Sequence, residues 1–378
     1  MKMQHISITK QNICLYLILA INFLFALKYL ERITEYAALI GFFIIVIQFS
    51  IWKNKNRFKF PFNINLLNIG IICLYVVTSI VLLQKIPAED LNVDRWSVIT
   101  SFWDAYLNGD YVYFAESHQN NYPGPMPFYF IIAFPFYLIG ELGFMSLCGL
   151  LCFYGLMRYI NIRDYKQTAI LLLLISSLFY LWEVTCRSNV FLNGLLVLFS
   201  ILYFLNKPKD GNYKHLCISG ILIGLALSTR NVYIIPYIIA FIYALRVKKI
   251  NIKQTVFTGI IALITFTTTF IPFVIGHFEE FKTMNPFIIQ STFLIPFEYT
   301  IGFILFAIAI SFLCKTKNDV YFFSGITLSA IISFYYLYHI IKEGFTETFY
   351  NSSADISYYI LATPFLFYYL LLSEKKVS

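Results

Sequence analysis

The chain has 378 residues, of which 59% are hydrophobic and only 13% charged. No soluble globular domain of that length hides so much apolar surface while offering so few polar residues to water, so a soluble enzyme is excluded and the outside must face lipid. The net charge of +8 suits an anionic membrane surface and gives no reason to invoke nucleic acid.

Apolar runs read as spans, in chain order, at 13–30, 36–52, 64–83, 142–160, 167–182, 189–205, 216–229, 231–245, 254–275, 297–314, 319–340 and 356–372. The expected fold is an all-α polytopic membrane protein, one transmembrane domain over 1–378 with about twelve helices. The first run follows Lys2 and Lys10, lacks a small-residue cleavage pattern and is followed at once by a second. It reads as a retained span rather than a cleaved signal.

Basic connections set the orientation, because short cytoplasmic loops collect Lys and Arg. Lys53, Lys55, Arg57 and Lys59 place the connection before residue 64 inside, so the segment from Gln84 to Tyr122 is outside. Arg158, Arg163 and Lys166, then Lys207, Lys209 and Lys214, then Arg246, Lys248, Lys249 and Lys253, then Lys315 and Lys317, and last Lys375 and Lys376 all fall inside on one condition. The stretch Met126 to Gly140 must not cross; it is short for a span, contains Pro127 and Pro135, and suits an interfacial or re-entrant helix. The outer segment 84–140 with its interfacial helices is therefore the expected catalytic loop, and 276–296 and 342–355 are the other outer connections.

Within that segment Asn92 can cap a helix whose polar positions Asp94, Ser97, Ser101, Asp104 and Asn108 oppose Trp96, Ile99, Trp103, Tyr106 and Leu107, and Gly109 ends it. Such a helix is expected to lie flat on the membrane. Asp94 then stands in the first turn, where free amides and the dipole keep a carboxylate ionised, as a general base requires. The structural alternative is that Asp94 completes a cap and pairs with Arg95. Glu183, Arg187 and Asn189 in WEVTCRSN, and Arg230 in STRN, are charges and amides at the outer ends of spans. Arginines there can clamp a lipid phosphate through bidentate hydrogen bonds, which makes Arg230 and Arg187 the expected phosphate contacts; a Glu183–Arg187 pair or snorkelling is the alternative. Further candidate substrate contacts are Arg95, Asp104, Glu116, His118 and Tyr122 in the long loop, Asn285 and Gln290 in NPFIIQS, and Asp355. The sequence Asn351, Ser352, Ser353 is an ordinary chance sequon. Seven cysteines without CxxC spacing or alternating His give no disulfide framework and no metal site.

The order of an outer loop opening on an acidic residue, WDAYLNGDYVYF, NYPGPMPFYF with FPFYLIGELG, and GLALSTRNVYIIP resembles integral-membrane glycosyltransferases of the GT-C superfamily, over roughly 94–245. The resemblance implies a GT-C-like bundle with amphipathic juxtamembrane helices in the first large outer loop. It implies a mannosyl- or arabinosyltransferase-like activity in which Asp94 activates an acceptor hydroxyl and a polyprenyl phosphate sugar is the donor. Inversion at the anomeric carbon is expected, with Arg230 at the donor phosphate and Glu116 and His118 where some members carry a second charged group. The chain departs from the simplest pattern in having two helices before the one entering the loop and no paired acidic dipeptide, which leaves the subfamily and a divalent metal requirement open; no other cofactor is implied. The expected partners are the bilayer, the donor lipid and a glycan, glycolipid or protein acceptor. The expected place is a bacterial inner membrane with both termini cytoplasmic.

The residues support this chemistry without the family. A lipid phosphate is a good leaving group delivered by the membrane, and no phosphate-binding Gly loop or Walker motif offers a nucleotide-sugar site. A transporter or lipid-linked glycan flippase is a competing class, against which stand the absence of a convincing internal repeat and the gathering of ionisable residues at one interface. A polymerase or ligase of polyprenyl diphosphate-linked glycans is a third, which is expected to place its largest loop later.

Overall fold

The computed structural model describes residues 9–58, 64–160, 164–206, 212–293, 295–351 and 354–372. Lys2, Lys59, Arg163, Lys207, Lys209, Ser352, Ser353, Lys375 and Lys376 lie outside the described residues. The helices are α1 (Lys10–Phe25), α2 (Ala37–Lys53), α3 (Ile64–Lys85), α4 (Arg95–Asn108), α5 (Pro127–Ile139), α6 (Phe144–Tyr159), α7 (Asp164–Ile175), α8 (Leu178–Thr185), α9 (Val190–Leu205), α10 (Tyr213–Leu227), α11 (Ile234–Arg246), α12 (Ile252–Thr268), α13 (Ile271–Val274), α14 (Phe278–Thr283), α15 (Pro286–Phe293), α16 (Phe297–Ser311), α17 (Lys317–Glu343) and α18 (Thr363–Leu371). No strand occurs among the described residues.

Four stretches are long and apolar enough to cross a bilayer unbroken: Lys10–Leu30, Ile64–Lys85, Ile252–Val274 and Lys317–Glu343. Two bent pairs raise the number to six among the described residues, and the other apolar helices are shorter than 18 residues. This is an all-α membrane protein.

The run 167–182, expected as one span, is instead two helices, α7 and α8, that meet at 59°. Ser177 causes the break. Its hydroxyl donates to the Leu173 carbonyl at 2.6 Å and accepts from Asn22 Nδ2 at 3.2 Å, so side-chain bonds replace the helical ladder at this point. A second bend, of 117°, separates α5 from α6. With 13 residues α5 is about 20 Å long at roughly 1.5 Å per residue, short of a hydrocarbon core.

Contacts divide the chain into two compact units, where the sequence suggested one domain: residues 1–75, 154–181 and 324–378, and residues 76–153 and 182–323. The first unit is built inside-out. Leu39, Phe42, Phe43, Val46 and Ile47 of α2 are exposed, whereas Gln48 is fully buried and takes a hydrogen bond from Asn22 of α1 at 3.0 Å while donating to Ser176 at 3.2 Å. An apolar solvent makes this the stable polarity, because hydrocarbon competes for no hydrogen bond and polar side chains pair across helices instead. The buried Lys28 ammonium donates to the Ala354 carbonyl at 3.2 Å, which also accepts from the Tyr336 hydroxyl at 2.6 Å.

In the second unit α10 and α12 approach most closely, through Gly220 and Gly224, a GxxxG spacing the span pattern alone did not single out. A Cβ at Gly220 would lie 2.7 Å from Ile261 Cβ and 2.8 Å from the Thr258 carbonyl; one at Gly224 would meet the Ala262 carbonyl and lie 2.7 Å from Thr265 Cβ. Backbones this close gain dispersion contacts in place of a hydrophobic driving force that lipid cannot supply. Arg246 at the end of α11 closes α16 by donating to the Ser311 carbonyl at 2.7 Å. Gly224→Leu is expected to cost at least about 1–3 kcal/mol of overpacking and to lower the unfolding temperature in detergent. Gly70→Leu, at a position with nothing within 4 Å, serves as the control and should leave that temperature unchanged or raised.

Candidate active site

Except for Asp355, the candidate site residues lie in the second unit. Asp94 occupies the N-cap of α4 with ψ 7°, and its side chain makes no capping bond. A capping carboxylate needs the extended backbone that would turn it back over the first amides. Freed from that role, the carboxylate accepts from Asn121 Nδ2 at 2.8 Å and from the Ser117 hydroxyl at 3.5 Å. Two expectations are corrected: Asn92 is not the cap, its Oδ1 instead accepting from Gln119 Nε2 at 2.9 Å, and Asp94 stands at the cap rather than inside the first turn.

The partners of Asp94 are delivered by a tight turn. Ser117 Oγ accepts from the amides of Gln119 at 3.3 Å and Asn121 at 3.1 Å, and Asn120 adopts φ 58°, a left-handed conformation that asparagine tolerates. His118 lies on the same turn. Its Nδ1 is 2.7 Å from the Ser97 hydroxyl, and its ring stacks on Trp96 at 5.3 Å. Glu116 accepts the Tyr122 hydroxyl, which holds that phenol above its usual pKa, and both remain on the rim rather than at Asp94.

The helix that was expected to lie flat on the membrane is anchored by its other face. Val98, Ile99, Phe102 and Trp103 are buried, Phe102 stacks on Phe130 at 3.7 Å, and Trp103 Nε1 donates to the Phe130 carbonyl at 3.1 Å. Asp104 accepts from the Tyr137 hydroxyl at 2.5 Å and so fastens α4 to α5. Gly109, at φ 81°, supplies the left-handed terminus that stops α4.

The NYPGP and STRN motifs meet. Pro127 has no N–H to satisfy, and the remaining amides at the start of α5 find acceptors at the end of α10: Phe128 N–H donates to the Ser228 carbonyl at 2.8 Å and Met126 N–H to the Thr229 carbonyl at 3.2 Å. This joint seats Tyr129 under Arg230, whose guanidinium lies 5.3 Å from the ring centre. Asn189 Nδ2 donates to the Tyr129 carbonyl at 3.4 Å. The Tyr129 hydroxyl is within electrostatic reach of Arg230, Arg95, Glu183 and Asp94, and Glu183 within reach of both arginines.

Glu183 is fully buried, and its Oε1 accepts from the Phe191 amide at 2.8 Å, capping α9 where Asn189 does not. Arg187 is part of the scaffold. Its Nη2 donates to the carbonyls of Leu83 at 3.0 Å and Ile86 at 2.8 Å, Nη1 to Thr185 at 2.8 Å, and Nε to Glu141 at 3.3 Å. With four of its five N–H donors used, Arg187 closes the end of α3, so the phosphate contact expected of it would have to displace these bonds, and its ion pair is with Glu141 rather than with the Glu183 of the alternative reading.

Asn285 is spent locally, its Oδ1 accepting from Phe287 and Ile288 amides at 3.1 Å each and its Nδ2 donating to Phe281. The Gln290 side chain lies outside the described residues. Asp355 belongs to the first unit, where it accepts from the amide of Ser357 at 2.8 Å and from its hydroxyl at 2.6 Å. Sequence reasoning missed Tyr129, Ser228, Asn193 and Tyr233. A polar Asn193 within the apolar run VFLNGLL was a readable signal; the two tyrosines were hidden among the chain's 29.

All seven cysteines are free, and no group of three or more metal-ligating side chains gathers among the described residues. Compared with family models, with curated proteins and with solved structures, the chain finds no match. Arg187→Lys, which cannot reach three carbonyls and a carboxylate at once, is expected to destabilise the protein by about 1.5–3 kcal/mol, read as a lower unfolding temperature with unchanged helix content at low temperature.

Proposed function

We propose that the chain is an inverting membrane glycosyltransferase of GT-C type that moves a sugar from a polyprenyl phosphate donor to an acceptor hydroxyl. The observation that supports it best is a half-buried Asp94 carboxylate that is not used as a cap and is held by Asn121, in the same unit as an Arg230 guanidinium stacked on the Tyr129 ring. In this reading Asp94 takes the proton of the acceptor hydroxyl as its oxygen attacks the anomeric carbon from the side opposite the phosphate. The bond from anomeric carbon to phosphate oxygen breaks, and the departing lipid phosphate gains its negative charge against Arg230 and Arg95. Asn121 holds the base by one oxygen and leaves the other to the substrate.

The same reading takes about twelve membrane crossings, α4 and α5 on the outer side, both termini in the cytoplasm and a bacterial inner membrane as the setting. The short length of α5 and its 117° bend from α6 support the parity this needs. A flippase for a lipid-linked glycan is the second reading, favoured by the complete burial of Glu183.

Asp94→Asn keeps the size and the Asn121 contact while removing the base, and should lower sugar transfer from a polyprenyl phosphate donor by about a hundred- to ten-thousandfold with an unchanged unfolding temperature. Full activity of that variant sinks the assignment of the base. Donor movement between leaflets of reconstituted vesicles without any sugar transfer would favour the flippase.

A further inference from the structure

The buried face between α9 and α11 carries polar groups that the reaction at Asp94 does not use. Asn189, Asn193 and Ser200 recur at four and seven along one face of α9. Tyr237 lies in α11, and Tyr233 stands four residues before it at the end of the 3-10 turn Asn231–Tyr233. The Ser200 hydroxyl lies 2.6 Å from the Tyr237 hydroxyl, which holds the two faces together at their inner end. Towards the outer end this pairing stops. Asn193 is fully buried with neither its Oδ1 nor its Nδ2 hydrogen-bonded, the fully buried Tyr233 hydroxyl has no hydrogen-bond partner, and Asn189 Oδ1 accepts nothing. Buried polar groups are almost always satisfied, and each one left bare works against the fold. Three such groups, on two elements that the Ser200–Tyr237 contact brings together, point to an occupant.

We infer that this seam reads the hydroxyl groups of the donor's sugar, an assignment that rests on the glycosyltransferase reading. A carboxamide offers one donating and one accepting edge and a phenol offers both on one atom, which matches adjacent hydroxyls of a sugar and matches neither an acyl chain nor a phosphate. The placement agrees with the chemistry. Tyr233 stands three residues beyond Arg230 on the turn Asn231–Tyr233 and is in electrostatic reach of both Arg230 and Glu183, so a sugar in the seam would keep its phosphate at the cation. These atoms touch no water in the closed packing. Loading therefore requires the outer end of α11 to draw away from α9, at the point where a 3-10 turn rather than an α-helical one joins Arg230 to the helix.

The test uses the full chain in detergent and measures binding of polyprenyl phosphate against polyprenyl phosphate mannose, glucose and arabinose, alongside unfolding temperature. Wild type should bind a sugar-loaded lipid more tightly than the bare lipid. Asn193→Leu, close in shape and without polar atoms, should keep or raise the unfolding temperature, weaken that sugar-loaded lipid at least tenfold and leave the bare lipid unchanged. Tyr233→Phe, the removal of a single oxygen, should act in the same direction and decides the matter if Asn193→Leu does not fold. Equal affinity of both variants and wild type for the preferred sugar-loaded lipid, or no preference of wild type for any of the three, overturns the seam as a sugar site. Failure of all four lipids to bind overturns the glycosyltransferase reading beneath it.

Discussion

A helix end in an apolar setting needs acceptors for amides that water cannot reach, and the joint between α5 and α10 meets that need within the protein. The amides of Met126 and Phe128 are taken by the carbonyls of Thr229 and Ser228, so the positive end of one helix dipole sits on the negative end of another. From this contact follow the seating of Tyr129 beneath Arg230, the approach of Asn189 to the Tyr129 carbonyl, and the closing of the loop that presents Asn121 to Asp94. The Ser228 hydroxyl, 2.6 Å from that of Thr269, ties the same joint to the turn after α12.

The second unit holds its charges in two different ways. Arg187 is held at φ 53° and gives its guanidinium to backbone carbonyls and Glu141, while Glu183 closes the start of α9. Arg230 lies on a tyrosine face, and Asp94 keeps its carboxylate off the helix it precedes. An arginine with most of its donors committed to carbonyls builds a scaffold; a guanidinium stacked on a tyrosine ring is held by its face.

The membrane character was legible from composition, and the C-terminal end of α4 was legible because Gly109 marks it, whereas its N-cap, Asp94, lies two residues beyond the expected Asn92. The kink at Ser177 was not, since a serine pair within leucines breaks a helix only when partners such as Gln48 and Asn22 arrive from elsewhere in the chain. Asp94 and Arg230 were readable as outlying charges near spans. What sequence could not give is where Arg187 goes: it looks like Arg230 in its turn, and the carbonyls that hold it, of Leu83 and Ile86, lie about a hundred residues upstream. Asn285 and Asp355 illustrate the same ambiguity, for a short polar side chain at the start of a helix serves the backbone as readily as a ligand.

The first unit is assembled from three stretches far apart in the chain, and this bears on biogenesis. Asn22 and Gln48 enter the bilayer long before Ser177 is made, and Lys28 before Ala354. A nascent chain therefore carries a buried-to-be ammonium with no carbonyl to receive it until another 326 residues have been added. Insertion machinery or lipid headgroups must shelter that lysine meanwhile, and a ribosome that stops just short of Ala354 would leave the earliest helices, not the latest, exposed to quality control.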